Sequence, residues 1–161
     1  MVALNDLIRL KKSQVKPAAE VLAKAFHNDP LLAYFYPDVA IRKRRAPHAY
    51  RLLLAYGIRY GEAYATSAGL EGIAVWIPSQ RVDMSVVRAI RSGAFPMVFS
   101  LGRKAVLRMR YFGEYSGAVH KRHLSVPHWY LQIIGVEPRL QGKGYASRLM
   151  RFMLARLEGN G

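Results

Sequence analysis

Residues 129–157 read WYLQIIGVEPRLQGKGYASRLMRFMLARL, and they carry the clearest structural signals in the sequence. Their first part, Trp129–Val136, is a largely apolar run that predicts a buried strand, and Pro138 follows in a short loop. From residue 146 onward, apolar residues recur at the spacing of one helix face, which predicts an amphipathic helix. That face consists of Ala146, Leu149, Met150, Met153, Leu154 and Leu157, and Arg148, Arg151 and Arg156 take the other side.

Two glycines, Gly142 and Gly144, stand at the entrance of this helix. The first turn of a helix has free backbone N–H groups and the positive end of the helix dipole, so it attracts anions. Glycines there let a ligand approach the main chain, because they have no Cβ. The sequence therefore predicts a site for a phosphate-bearing ligand.

The glycine spacing separates the kinds of phosphate loop. A P-loop requires G-x-x-x-x-G-K followed by Ser or Thr, but Gly135 is too far from Gly142, and Gly144 follows Lys143. A dinucleotide-binding loop requires Gly or Ala three residues after Gly144, where Ser147 stands, and an acidic residue about twenty residues later. The spacing excludes the first kind and gives little support to the second.

A third pattern fits. The sequence QGKGYA at residues 141–146 matches Q/R-x-x-G-x-G/A, and it follows a strand that ends in Ile134, Gly135 and Val136. This combination resembles the acetyl-CoA-binding core of the GNAT N-acetyltransferase superfamily, most specifically over residues 129–157. A glycine-rich connection without a ligand is the alternative interpretation.

The resemblance implies an α/β (α+β) fold, with a mixed central sheet flanked by helices, and acetyl-CoA as co-substrate. It implies that the backbone of Ile134, Gly135 and Val136 pairs with the pantetheine arm and the thioester carbonyl, with the Val136 N–H as oxyanion donor. The pyrophosphate would be held by Gln141, Gly142, Lys143, Gly144, Tyr145, Ala146 and Ser147.

Composition predicts one soluble domain. The chain has 161 residues, of which 52% are hydrophobic, and no apolar run approaches the ~20 residues of a membrane-spanning helix. The N-terminus lacks the order of a secretory signal, which favours a cytoplasmic enzyme. The absence of cysteine excludes a thiol nucleophile, disulfides and thiolate metal sites.

The net charge of +15 is large for this length. It suits nucleic acid, an acidic membrane surface or a cofactor with several phosphates, and charge alone does not choose among them. The basic run RKRR at residues 42–45 is either a nucleic-acid patch or a solvated helix face, which is the commoner case.

Upstream elements follow from local patterns. Residues 7–14 alternate as a first strand, and a helix starts near Pro17. Asp38 caps a long helix to about Tyr60 that is interrupted at Pro47. Strands follow at residues 63–66 and 72–78, and the second (GIAVWIP) is similar to a strand of puromycin-acetyltransferase-like members.

The resemblance also indicates acceptor contacts. In the superfamily the loop between the first two helices forms a wall of the acceptor site, which nominates Asp29, Tyr34 and Tyr36. Trp76 is a further candidate for contact with an apolar or aromatic amine. The alternative is that the aromatic residues belong to the core and that Asp29 caps a helix or turn.

About forty residues, 81–122, separate the third and fourth strands, where the superfamily has a short turn. The segment is helical by periodicity and carries nine Lys and Arg against two acidic residues. We expect a helical lid over the acceptor pocket; the alternative is a basic amphipathic helix that, next to residues 95–99, binds a membrane or a partner.

The general base is less defined. Some histone-type members place a Glu where this chain has Tyr130, so the remaining candidates are Glu71, His128 and Glu62, acting directly or through water. Each is also consistent with a structural role. His120 and His123 have helical ligand spacing but no predicted third ligand, so no metal is expected.

The superfamily fold continues beyond the helix at residues 146–157 with further strands, whereas this sequence ends in Gly159, Asn160 and Gly161. We therefore expect residues 1–161 to be a single truncated domain that alone is inactive or weakly active. A missing C-terminal segment, a second chain or a second copy would cover the edge of Trp129–Val136. The alternative function is a basic nucleic-acid- or membrane-binding module that retains only the CoA scaffold.

Overall fold

The computed structural model describes residues 7–93, 99–124 and 126–159. Its four strands pair antiparallel in the order β1-β2-β3-β4. The strands are β1 (Ile8–Arg9), β2 (Glu62–Ala65), β3 (Gly72–Pro78) and β4 (Trp129–Val136), and the helices are α1 (Val15–Ala25), α2 (Pro30–Phe35), α3 (Val39–Tyr60), α4 (Val86–Arg91), α5 (Arg103–His123) and α6 (Tyr145–Glu158).

Helices cover both faces of the sheet. Side chains alternate along each strand, so both faces carry apolar residues that pack against a helix. On one face Ile73, Val75 and Ile77 of β3 pack with Leu22 of α1 and Leu54 of α3. On the other face the core consists of Tyr64, Ala74, Trp76, Leu149 and Met153, the last two from α6. The expected α/β class, a sheet flanked by helices, is confirmed, but the described strands all pair antiparallel, whereas a mixed sheet was expected.

A β-bulge interrupts β4, which is an edge strand of the described sheet. Ile133 pairs with Val75, but the next residue of β3, Trp76, pairs with Leu131, so Gln132 is the extra residue. Tyr130, the partner of Ile77, therefore shares the α1 and α3 face of the sheet with Ile133.

The first strand is shorter than predicted. Alternation suggested residues 7–14, but β1 ends at Arg9, and Leu10 makes the last contact by donating to Ala63 O at 2.8 Å. Residues Lys12–Gln14 form a 3-10 turn that leads directly into α1. The prediction failed because the polar residues of the turn extend the alternation of apolar and polar residues beyond the end of the strand.

The long helix is continuous, which corrects the predicted interruption at Pro47. Asp38 caps α3 as expected, accepting from Ile41 N at 2.7 Å. Pro47 removes one backbone hydrogen bond, but it is buried beside Ala46 and Tyr50 in the contact with the core. Tertiary packing therefore outweighs the local tendency to break.

Helix α6 is rotated relative to the predicted apolar face. Leu149 and Met153 are buried, but Leu154 and Leu157 are exposed. The ring of Phe152 instead packs against Tyr64 of β2 at 5.0 Å, and Arg156, which was expected in solvent, binds Glu62 on the same strand. The helix thus turns its buried stripe toward β2.

The insertion between β3 and β4 is helical, as predicted. Its longest helix, α5, packs against α2: Arg108 Nη1 donates to the backbone oxygens of Tyr34 at 3.0 Å and Phe35 at 3.3 Å. The rings of Phe35 and Phe112 are 5.9 Å apart. Of the apolar segment at residues 95–99, residues 95–98 lie outside the described residues, and Phe99 is exposed.

Candidate functional site

A cleft of about 510 Å³ opens where the end of α1, the end of β4 and the start of α6 meet. The strand turns away at Pro138, and the loop that follows delivers the chain to α6. The lining residues are Ala25, Phe26, Ile134, Gly135, Val136, Leu140, Gln141, Gly142, Gly144, Tyr145, Ala146 and Ser147.

The two loop glycines keep this cleft open. Gly142 has φ +78° and Gly144 has φ +82°, a left-handed conformation that side chains rarely adopt. A Cβ at either position would meet no atom within 4 Å, so the space beside the backbone is empty. Both glycines are therefore required by backbone conformation, and both leave room for a ligand.

The N-terminus of α6 lacks a side-chain cap. Gly144 is the N-cap residue, no side chain accepts from the first turn, and that turn contains no acidic residue. The first backbone N–H groups of a helix have no partner within the helix, and they lie at the positive end of its dipole. The turn that begins at Tyr145 thus presents an anion-binding surface to the cleft.

The edge of β4 offers further backbone groups. Glu137 N donates to Glu71 O at 2.8 Å, which makes these two residues a hydrogen-bonded pair. Such pairs alternate in an antiparallel ladder, so the next residue pair, Val136 with Gly72, is not hydrogen-bonded. The N–H of Val136 consequently points away from β3, toward the free edge, and the backbone of Ile134 does the same.

Gly135 has a different role from its two neighbours. The same alternation directs its backbone groups toward β3, so Gly135 does not offer them at the free edge as the resemblance implied. Instead, its missing Cβ lets α1 approach, since a Cβ would lie 2.7 Å from Leu22 Cδ2 and 3.0 Å from Phe26 Cε2.

Gln141 and Lys143 of the loop make different contributions to the cleft. Gln141 Nε2 donates to Val136 O at 3.3 Å and so ties the loop to the end of β4. Lys143 is exposed and does not line the cleft.

Ala25, Phe26 and Leu140 line the cleft but were not predicted for the site. Ala25 and Phe26 have the spacing of an apolar helix face with Leu22, but no sequence signal places the end of α1 beside β4.

The acceptor candidates do not converge. Asp29 caps α2, accepting from Leu31 N at 2.9 Å and from Leu32 N at 3.1 Å, as in the structural alternative. Tyr36 is buried, and burial raises the pKa of its hydroxyl to about 12. Trp76 lies on the opposite face of the sheet, against α6. Of the four, Tyr34 is exposed, and the Arg108 guanidinium lies 5.6 Å from its ring centroid.

Two carboxylates proposed as bases are engaged elsewhere. Desolvation raises the pKa of Glu71, but hydrogen bonds from Thr66 and Ser67 outweigh this effect and hold it below its ordinary value. Desolvation likewise opposes the ionised form of Glu62, yet hydrogen bonds from Arg156 and Tyr64 lower its pKa. Both carboxylates are therefore ionised and structurally bound.

The third base candidate, His128, has a partner that the sequence did not reveal. It lies immediately before β4, and its Nε2 is 2.8 Å from Nε2 of His120 on α5. The ring of His120 also contacts Tyr130, with centroids 5.1 Å apart. In the sequence, the helical spacing within α5 pointed to His123 as the companion of His120. The contact with His128 could not be predicted, because a contact between the insertion and the start of β4 leaves no local pattern.

The part of the chain that the structure describes contains neither a group of three metal-ligand side chains nor a membrane-spanning helix. Within residues 7–93, 99–124 and 126–159, no three His, Asp or Glu side chains are grouped so that they could hold a metal ion. Within the same ranges, no helix has both the length and the apolar character needed to span a membrane.

Comparisons with known proteins agree with this geometry. Residues 104–161 match the model of the acetyltransferase (GNAT) family. A crystal structure described as histone acetyltransferase HPA2 and related acetyltransferase, from Corynebacterium glutamicum, shares the fold with a TM-score of 0.61 and 18% sequence identity. The similarity covers 94% of this chain and 70% of that chain. No curated protein matches the sequence.

Proposed function

We propose that this chain, whose residues 104–161 match the model of the acetyltransferase (GNAT) family, is an acyltransferase that transfers the acetyl group of acetyl-CoA directly to a primary amine of a small molecule or a protein. The observation that carries the proposal is the open cleft at the uncapped start of α6, where two left-handed glycines face empty space beside the free edge of β4.

Two backbone surfaces, the first turn of α6 and the free edge of β4, would bind different parts of the cofactor. The N–H groups of the turn that begins at Gly144 would hold the pyrophosphate. The pantetheine arm contains amides, and it would follow the free edge of β4 by pairing with Ile134 and Val136. Ala25 and Phe26 would cover its apolar part from the α1 side.

Direct transfer requires little covalent help, because a thioester is already activated. The N–H of Val136 would stabilise the oxyanion of the tetrahedral intermediate. Holding the amine beside the thioester supplies much of the remaining acceleration. The substrate amine is protonated at neutral pH, since an alkylammonium has a pKa of about 10, so it must lose a proton before its nitrogen attacks the thioester.

The amine is expected on the α1 side of β4, near the junction of α2 and α5. The exposed Tyr34 lies there, and α5 is held to α2 through Arg108. This arrangement supports the interpretation of the insertion as a lid. Trp76 and Glu62 face α6 and have no part in acceptor binding in this proposal.

The free edge of β4 also bears on the partners of the chain. Unpaired backbone groups on an edge strand tend to pair with another strand. We take residues 1–161 as one acetyltransferase domain, and a further segment or a second copy would cover the part of β4 that the cofactor leaves open.

The net charge of +15 favours a second candidate, a basic module that binds nucleic acid or a membrane surface. The basic run at residues 42–45 supports it less than its sequence suggests. Arg42 is buried, and its Nη1 donates to Tyr36 O at 2.9 Å, so the run is not uniformly directed to solvent.

The first test is calorimetric titration with acetyl-CoA of the wild type, Gly142→Ala and Gly144→Ala. Each added methyl group enters the proposed phosphate space, and we expect affinity to fall by about tenfold or more, which is about 1.4 kcal/mol. The matched control is Gly93→Ala, because Gly93 also has φ +82° and a Cβ added there would meet no atom within 4 Å, but it lies beyond α4.

Equal losses in all three variants would mean that backbone strain, not the cleft, is responsible. Turnover is then measured with phenethylamine, spermine and a lysine-containing peptide as probe amines. Salt-sensitive binding to arbitrary DNA without binding of acetyl-CoA would favour the basic module.

A further inference from the structure

Helix α5 packs against the rest of the molecule through one side. Ala105 is buried, Arg108 Nη1 donates to backbone oxygens of α2, and the ring of Phe112 contacts Phe35. Steps of three and four residues separate Ala105, Arg108 and Phe112, so they share one side of the helix. The other side of α5 is left to solvent.

A stripe of residues with the same helical spacing runs along that exposed side. The stripe consists of Lys104, Leu107, Tyr111, Tyr115, Ala118 and Arg122. The three large side chains in its middle, Leu107, Tyr111 and Tyr115, are 64%, 68% and 66% exposed. Because each step is three or four residues, the stripe forms one line along the helix, with an apolar and aromatic centre between two cations.

The surroundings of this stripe are positively charged. Residues 81–122 contain nine Lys and Arg but two acidic residues, Asp83 and Glu114. Both carboxylates form ion pairs, Asp83 with Lys121 and Glu114 with Arg110 at 3.1 Å. No carboxylate of the segment is therefore left uncompensated to repel an anion.

The shorter helix α4 has the same character. Val87 and Ile90 are three residues apart and exposed, and Arg91 beside them is exposed as well. The ion pair between Lys121 and Asp83 ties the last turn of α5 to the segment just before α4. Helices α4 and α5 thus both present apolar side chains to solvent with cations next to them.

We propose that the exposed face of α5, centred on Leu107, Tyr111 and Tyr115, docks on the surface of an anionic lipid membrane. The helix would lie in the plane of the interface, with its apolar centre at the boundary of headgroups and acyl chains and its terminal cations on lipid phosphates. Tyrosine suits that depth, because its ring is apolar and its hydroxyl is polar. The inference goes beyond the proposed acetyl transfer, since neither the cleft nor the α2 side of α5 takes part.

Charge complementarity favours a membrane over other occupants of this face. In a symmetric dimer the face would meet its own copy, and the two positive surfaces would repel each other. A nucleic acid requires cations where its phosphates lie, whereas the centre of this face is apolar. An anionic membrane offers phosphate groups and apolar chains within one helix width, which matches both parts of the stripe.

The first test is co-sedimentation of the full chain with vesicles of phosphatidylcholine alone and of an equal mixture of phosphatidylcholine and phosphatidylglycerol. We expect the wild type to bind the mixed vesicles about tenfold more tightly or better, and Tyr111→Ser/Tyr115→Ser to lose about tenfold of that affinity. Val39→Ser/Ile41→Ser is the matched control, because these exposed apolar residues lie at the start of α3. Equal losses in both double variants, or no binding by the wild type, would overturn the proposal.

The second test removes charge instead of apolar surface. Lys104→Gln/Arg122→Gln should weaken binding to the mixed vesicles by about tenfold, because both cations flank the apolar centre. Lys43→Gln/Arg44→Gln removes the same charge from exposed positions of α3 and should have a much smaller effect. Equal weakening by the two double variants would mean a general attraction of a basic protein, which would overturn the assignment to α5.

A third measurement locates the contact directly. With mixed vesicles, the fluorescence of Tyr111→Trp should shift to shorter wavelength and be quenched by brominated acyl chains, whereas Val39→Trp should show neither change beyond the wild type. All these side chains are exposed, so the urea unfolding midpoints of the variants should match that of the wild type. Fluorescence of Tyr111→Trp that vesicles leave unchanged would overturn the proposal.

Two other occupants have their own signatures. Binding to single-stranded RNA, without binding to vesicles, that Tyr111→Ser/Tyr115→Ser abolishes would assign the face to nucleic acid. A dimer in sedimentation equilibrium that the same variant dissociates would assign it to a second copy. Either result would overturn the membrane proposal.

The outcomes also separate this proposal from the proposed function. Tyr111→Ser/Tyr115→Ser should bind acetyl-CoA as the wild type does. A wild type that binds mixed vesicles but no acetyl-CoA would overturn the acetyl transfer alone, and one that binds acetyl-CoA but no vesicles would overturn the docking surface alone.

Discussion

Glu62 is the residue whose surroundings differ most from what its sequence context suggests. Its side chain is largely buried at the start of β2, where Arg156 Nη2 donates to Oε1 at 2.7 Å and Tyr64 Oη donates to Oε2 at 2.9 Å. Desolvation disfavours the ionised carboxylate, but these hydrogen bonds outweigh it and lower its pKa. Ionised Glu62 thus depends on a partner that lies near the far end of the chain.

Arg156→Met should destabilise the fold by about 2 kcal/mol at neutral pH, because it leaves a buried carboxylate without its main partner. A fully buried pair would cost more, but Arg156 is about one third exposed. The measurement is urea unfolding of the wild type and the variant. Arg151→Met, exposed on the same helix, is the control and should stay within about 0.5 kcal/mol of wild type.

The pH dependence gives a second criterion for the same variant. Since the folded state lowers the pKa of Glu62, the ionised form adds stability above the ordinary pKa, and this is lost as pH falls through the lower, folded value. The difference between wild type and Arg156→Met should therefore narrow toward acid. A constant difference from pH 7 to the acid limb would contradict the ion-pair explanation.

At the scale of elements, the contact between α1 and β4 positions one wall of the cleft. It depends on Gly135, which has no side chain to hold the helix away. The same contact brings Phe26 to the cleft, so packing and the candidate site share one interface.

Gly135→Ala should destabilise the protein by about 1–3 kcal/mol, since its methyl group would lie 2.7 Å from Leu22 Cδ2 in a close-packed contact. Acetyl-CoA affinity should fall as well, because α1 must move. The control is Gly113→Ala, in the middle of α5 with no atom within 4 Å of the added group. It should stabilise by about 0.5–1 kcal/mol. Equal effects of the two substitutions in urea unfolding would refute this account.

Elements with strong local signals could be predicted from the sequence. Strand β3 is a run of β-branched and aromatic residues that follows a glycine turn, and α6 follows a glycine-marked entrance with clear helical spacing. The end of β1 and the continuity of α3 through Pro47 could not be predicted, because tertiary contacts decide them. The same is true of the site: Gly142 and Gly144 carry a local signal, whereas the His120 and His128 contact joins residues on two separately packed elements.

The whole molecule carries an excess of positive charge, which lowers the stability of the folded state and raises the affinity for an anionic cofactor. Like charges repel one another in the compact state, and a basic protein attracts a cofactor that carries several phosphates. Added salt weakens both effects.

Unfolding midpoints in urea should therefore rise as NaCl increases from about 0.01 M to about 0.1 M, over which the Debye length falls from about 30 Å to about 10 Å. Acetyl-CoA affinity should fall over the same range. KCl at equal ionic strength is the control and should give the same changes, because screening does not depend on the identity of the cation. A midpoint that falls with salt would mean that specific ion pairs dominate over the general repulsion.

The extra residue in β4 also affects how relatives of this chain should be compared with it. Upstream of Gln132, odd-numbered residues of β4 face α6; downstream of it, even-numbered residues do. An alignment that ignores the extra residue Gln132 would still pair residues one to one, yet it would assign Tyr130 and His128 to the wrong face of the sheet. A homologue without the bulge would present to the acceptor the side chains that this protein turns toward α6.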